Sequence, residues 1–185
     1  RKVTLPRPGH ADLAGVEKYG FDDIRNVLER SSARETTMRV ALATICRKLL
    51  GDIGIYVTSR VVQIHDIVDV SSIPGNIKTQ KLNELVDKSP VRCLNENAEK
   101  EMIRVIDHAK SQGDSVGGVF EVIATGMPHG LGSYTQWNRK LQAKITALMM
   151  SVNAYKAIEI GSGFNSGEKF GSEIHDEIEW SGKRY

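Results

Sequence analysis

Residues 29–70 read ERSSARETTMRVALATICRKLLGDIGIYVTSRVVQIHDIVDV, and the change of period inside this stretch decides the fold class. From Arg34 to Leu50, the residues Met38, Ala41, Leu42, Ile45 and Leu49 recur at helical spacing. That spacing predicts an amphipathic helix with one apolar stripe. Gly51 stands where a helix cap is expected. From Ile53 to Val70 the composition turns to Ile and Val around Tyr56-Val57-Thr58, which predicts one long strand. Cys46 falls inside the helical pattern and is expected to be a small core residue.

Upstream, the stretch to Gly20 is rich in Pro, Gly and charge and reads as an ordered loop, with a short helix over 21–29. Downstream, residues 71–76 break the strand and 79–88 read as a helix. Residues 97–112 form a stronger helix with Met102, Ile103, Ile106 and Ala109 on one face. Residues 117–125 read as a buried strand and 126–133 as a glycine-rich turn. A second strong helix over 138–153 carries Leu141, Ile145, Leu148 and Met149, and a short strand over 157–160 follows. Helices alternate with antiparallel-looking strands without the crossover rhythm of a doubly wound sheet, so the class is α+β. There is no internal repeat and no clear linker; the weakest boundary is residues 89–97.

The chain has 185 residues, 40% hydrophobic and 26% charged, which fits one soluble globular domain or a large piece of one. A net charge of +2 gives no reason to expect nucleic acid or a membrane surface as partner. No apolar run is long enough to span a bilayer. Cys46 and Cys93 have no CxxC spacing, so no metal is expected and a reducing cytoplasm fits. The chain opens on Arg1 rather than Met and on no signal peptide, as expected of a fragment, a processed chain or a renumbered one.

Three constellations carry chemistry. In residues 29–36, Ser32 and Glu35 form a capping box at the start of the best helix. A helix N-terminus receives anions, and Arg30 and Arg34 flank this one, where a cation is locally unfavourable unless an anion offsets it. The plainer reading, a cap with two solvated or salt-bridged arginines, stays open. In Arg7-Pro8-Gly9-His10-Ala11-Asp12, a loop presents His10 for proton exchange near neutral pH, and Asp12 can orient the imidazole. Here too a surface histidine in a turn is the plainer alternative. Gly161-Ser162-Gly163-Phe164 is a glycine-rich loop without a full nucleotide-binding motif.

Taken together, RPGHADL, LERSSARETTMRVA, GDSVGG, TGMPHGLGSY, NRKLQAKI, SVNAYKAIEIGSGF and GSEIHDEI resemble the chorismate synthases, in that family's order and over nearly the whole chain. The resemblance implies helices layered between antiparallel β-sheets, a β-α-β sandwich that is incomplete here. Residues 1–185 would be the central portion of a single catalytic domain. It further implies a carbon–oxygen lyase that makes chorismate from 5-enolpyruvylshikimate 3-phosphate by 1,4-anti elimination of phosphate in aromatic amino acid biosynthesis. Reduced FMN is the implied cofactor, NADPH an associated reductant, and a homotetramer the implied assembly.

Residue by residue, His10 matches the histidine assigned to protonating the reduced flavin. Arg7 and Arg34 match arginines that hold the anionic substrate. Arg30, Ser31 and Ser32 match the segment lining FMN, and Asn153 and Ala154 a second FMN contact. No metal is implied. The family's GESHG-type opening histidine, its later KP-containing loops and its aspartate-bearing segment are not in this sequence. Ser162 and Gln142 stand where acidic residues are common in the family. The 185 residues alone are therefore expected to lack most of the catalysis, and a non-catalytic anion- or flavin-binding fragment is the alternative. A nucleic-acid binder using Arg30 and Arg34 fails on overall charge and lacks interleaved aromatics. The long apolar helix faces are expected to be exposed, or covered by segments outside these residues.

Overall fold

The computed structural model describes residues 1–73 and 79–183. They form two compact units, residues 1–39 with 130–185, and residues 40–129. The class is α+β, as the sequence predicts.

The second unit holds one antiparallel sheet made of β1 (Tyr56–Ile64), β2 (Ile67–Val68) and β3 (Gly118–Thr125), in the order β2-β1-β3. The single long strand expected over 53–70 is thus a hairpin. His65 takes a positive φ of 54° and turns the chain with Asp66, so Ile64 pairs with Ile67. Tyr56 faces Thr125 across β1 and β3, and the register slips once between Val61 and Gln63. Among the described residues β3 pairs with β1 alone, and Val119 and Val122 are exposed, so the strand expected to be buried is an open edge there.

Helix α4 (Thr79–Val86) packs on β1, burying Leu82 and Val86 one turn apart. Met102, on α5 (Glu96–Ser111), is fully buried as well. Each such side chain contributes about 1.5–3 kcal/mol by leaving water. Cys93 is buried beside Ser89, and burial pushes its thiol pKa up.

Residues 89–97, read as the weakest boundary, are instead a firmly bonded corner. The buried Asp69 carboxylate accepts N–H bonds from Ser71 (2.9 Å), Leu94 (2.7 Å) and Asn95 (3.2 Å). The Asn95 side chain in turn caps α5 through the N–H groups of Asn97 and Ala98. The Arg92 guanidinium donates to the Ser59 carbonyl (3.0 Å). A periodicity reading misses this corner because its bonds join side chains to backbone far apart in the sequence.

In the first unit, the opening stretch is not all loop: α1 spans Asp12–Tyr19. An acid in its first turn favours the helix, and Gly20, at φ 68°, closes it in the left-handed conformation. Helix α2 (Arg25–Ser31) follows and crosses α1 at Gly15. A Cβ on Gly15 would stand 2.6 Å from a Val27 methyl, so only glycine permits this approach. Helix α3 (Ala33–Asp52) starts one residue after α2 and runs through Gly51 rather than stopping before it. Helix α6 spans Leu141–Met150, shorter than expected, and residues 157–160 form no strand.

The apolar stripe of α3 lies exposed: Met38, Leu42, Ile45 and Leu49 each keep more than half of their surface. Cys46 on the same helix is exposed too, not a core residue. Helical period tells which face is apolar; it does not supply the element that covers it.

Candidate functional site

The junction between α2 and α3 is built around Ser32. Its N–H donates to the Leu28 carbonyl (3.1 Å), because α2 ends directly on it. Its hydroxyl accepts from the Arg34 N–H (3.2 Å) as an N-cap should. The second half of the expected capping box is absent: with the Ser32 N–H already taken, the Glu35 carboxylate has no bond to make there. Instead Oε1 of Glu35 accepts from Arg39 Nε (2.7 Å) and lies 3.8 Å from Arg30 Nη2. Oε2 of Glu35 is buried with no partner among the described residues.

The segment after α6 docks on this junction. Asn153 Nδ2 donates to the Ser32 carbonyl (3.2 Å) and, more weakly, to the Arg30 carbonyl (3.5 Å). Arg39 Nη1 donates to Ser151 Oγ (2.6 Å), which donates on to the Leu148 carbonyl. Ala154 holds a positive φ of 71°, rare and costly for a residue other than Gly or Asn. Residues more than a hundred positions apart thus meet, Asn153 with Arg30 and Ser32, while Ser31 and Ala154 are their neighbours in the chain. Arg39 and Ser151 were not singled out from the sequence, and Glu35 was read there only as half of a capping box. The i,i+4 spacing of Glu35 and Arg39 is the signal that points to them.

The arginines have carboxylate neighbours here. Arg34 Nη1 pairs with Glu29 (2.9 Å) and Arg30 with Glu35, yet both guanidiniums are largely exposed. Ser31 turns its hydroxyl back to the Val27 carbonyl (2.9 Å), so its donor is spent inside α2.

The loop before α1 has a different internal order from the expected one. Asp12 is buried and does not hold the imidazole. It accepts from the Arg7 main-chain N–H (3.0 Å), Nε (2.9 Å) and Nη2 (3.1 Å). Those bonds and the adjacent positive charge lower the Asp12 carboxyl pKa to about 2. The Arg7 bonds win because a guanidinium fork matches a carboxylate on two points, which an imidazole cannot. His10 Nδ1 lies 2.9 Å from the Pro8 carbonyl. A carbonyl only accepts, so Nδ1 carries the hydrogen of this bond. Among the described residues no hydrogen bond or ion pair joins Arg7 or His10 to Arg30, Arg34 or Asn153. The link between the two halves is α1, which starts at Asp12 and meets α2 at Gly15.

Two grooves of about 310 and 330 Å³ lie in the second unit, lined by Arg47, Val57 and Asn83 among others. None of the site residues expected from the sequence lines them. No helix among the described residues is long and apolar enough to cross a membrane.

Comparison with known proteins gives this arrangement its relatives. The sequence model for chorismate synthase matches residues 1–184. "Chorismate synthase 1" of Bacillus cereus is 54% identical over 181 residues, 98% of this chain and 46% of that protein. "Chorismate synthase 2" of Bacillus anthracis is 53% identical over the same shares. A crystal structure of chorismate synthase superposes with a TM-score of 0.85 at 44% identity, covering 95% of this chain and 54% of that one. The chain belongs to the chorismate synthase family. It spans about half the length of the curated relatives it matches.

Proposed function

We propose that residues 1–185 are the central portion of a single chorismate synthase catalytic domain. On this reading it takes part in the elimination of phosphate from 5-enolpyruvylshikimate 3-phosphate to give chorismate, with reduced FMN. The single observation that carries the reading is the docking of Asn153 on the Ser32 carbonyl, at a helix start flanked by two exposed arginines. It sits in a chain whose residues 1–184 match the family model.

The donor set fits a flavin phosphate and an anionic substrate. Arg30 and Arg34 offer exposed guanidinium edges, and Ser32 sits at a helix N-terminus. Oε2 of Glu35 is a buried acceptor with no donor among the described residues, which suits a ligand hydroxyl. Arg30, Ser31, Ser32, Asn153 and Ala154 would hold FMN, which when bound supplies electron density that helps phosphate leave. Arg7 and Arg34 bind and orient the substrate anion. His10 holds a proton at Nε2, its ring fixed through Nδ1 on the Pro8 carbonyl. In the overall change the C–O bond breaks with its electron pair on phosphate, a ring C–H bond releases a proton, that C–H pair forms a new double bond, and the ring double bond between the two positions shifts to the carbon that phosphate leaves. No net oxidation occurs, which fits a reductant that is recovered.

A homotetramer and a cytoplasmic location belong to the same proposal. The exposed apolar faces of α3 and α6 support burial against further protein.

The test is anaerobic chorismate formation from the phosphate substrate by full-length protein with reduced FMN. Turnover is expected, and His10→Ala should lower it by roughly 10²- to 10⁴-fold while FMN still binds. Absence of chorismate from the unmodified protein counts against the activity. Full turnover in His10→Ala counts against the proton-holding role.

A further inference from the structure

The loop that opens the first unit spends a buried carboxylate on an arginine that is expected to bind substrate. Asp12 takes three N–H groups of Arg7: the main-chain one, Nε, and one hydrogen of Nη2. These bonds use the Nε–Nη2 edge of the guanidinium fork. A guanidinium carries five N–H donors in one plane. Three of them, both hydrogens of Nη1 and the second of Nη2, make no bond among the described residues. Half of the Arg7 side chain is exposed, while Asp12 keeps 1% of its side chain surface. The Nη1–Nη2 edge is therefore unbonded among the described residues and its plane is set by the bonds to Asp12.

The backbone reinforces this. The Arg7 N–H and its side chain bond to the same carboxylate oxygen, so the loop from Arg7 to Asp12 is closed at both levels. Gly9, at φ 70°, supplies the turn. Asp12 is anchored as the first residue of α1, and α1 is fixed on α2 at Gly15. The carboxylate position is thus set by the helices and not by the loop.

We infer that Asp12 is a positioning residue: it locks Arg7 by its Nε–Nη2 edge so that the adjoining Nη1–Nη2 edge is presented, preorganised, to an oxyanion of the substrate. The inference rests on the proposed function and deepens it. A free arginine would lose side-chain freedom on meeting the anion, and a clamped one has already lost it. The effect therefore falls on substrate binding rather than on the chemical step.

The experiment uses full-length protein with reduced FMN and 5-enolpyruvylshikimate 3-phosphate. Asp12→Asn keeps the shape and removes the charged fork partner. It should raise the substrate KM about tenfold, with kcat and FMN affinity changed less than about threefold. A general loosening of the fold would instead lower kcat and FMN affinity as well. In an Arg7→Ala background, Asp12→Asn should add less than about twofold, because its effect passes through Arg7. Arg7→Lys, which has no second edge to lock, serves where Asp12→Asn does not fold, and should show the same KM rise. An unchanged KM in a folded Asp12→Asn or Arg7→Lys protein overturns the inference. So does an equal Asp12→Asn effect in the Arg7→Ala background. Failure of the unmodified protein to form chorismate would instead sink the functional reading beneath it.

Discussion

Asn153→Ala is the sharpest probe of the cluster at the α2–α3 junction. The side chain makes two bonds across more than a hundred residues, at 3.2 Å to the Ser32 carbonyl and 3.5 Å to the Arg30 carbonyl. A neutral hydrogen bond contributes about 0.5–1.5 kcal/mol net, and the longer one sits at the geometric limit. Truncation should therefore cost about 1–2 kcal/mol in the hold of the 151–154 turn on the junction. If that turn completes the flavin site, the loss reappears as about 5- to 30-fold weaker FMN binding. Quenching of flavin fluorescence on titration of full-length protein measures this directly, beside a thermal melt. Asn153→Asp should be worse than Ala, because it sets a carboxylate against two carbonyl oxygens. An Asn153→Ala protein that melts lower but binds FMN within twofold of the parent would show the turn to be scaffold only.

Other expectations follow from the same geometry. Arg34→Ala removes an exposed pair with Glu29, worth at most about 1 kcal/mol, so the melt should barely move. Substrate affinity in the full-length protein should fall about tenfold or more, and an unchanged affinity would remove Arg34 from the binding site. Asp69→Ala leaves three backbone N–H groups without their acceptor and should cost about 2–5 kcal/mol in urea unfolding. Its backbone hydrogen bonds outweigh the opposing effect of burial and hold the Asp69 pKa below the ordinary value. The resulting stability is complete above the unfolded value near 4 and drains away as pH falls below it. Asp69→Asn should flatten that slope, and parallel acid curves for the two proteins would refute it. Gly15→Ala forces a methyl to within 2.6 Å of Val27 and should destabilise by about 1–3 kcal/mol, with Val27→Ala restoring much of the loss. No rescue would mean that the α1–α2 crossing is not held at that point.

The sequence by itself determined the helices with strong period and the family. The period of α3 and α5, the Ile/Val run of β1 and the RPGHAD and RSSARET stretches are local patterns, and local physics produces them. Tertiary structure alone decided what those patterns meet. The His65–Asp66 turn splits a run that composition reads as one strand, because the pairing partner sets the register. Asp12 turns to Arg7 and not to His10, because burial rewards the two-point fork. Glu35 leaves its cap for Arg39, because α2 has already used the Ser32 N–H. Asn153 reaches Ser32 across 121 positions, which no spacing rule can reveal. Hydrogen-bond partners at that separation are chosen by how the helices pack, and packing depends on the whole chain at once rather than on any window of it.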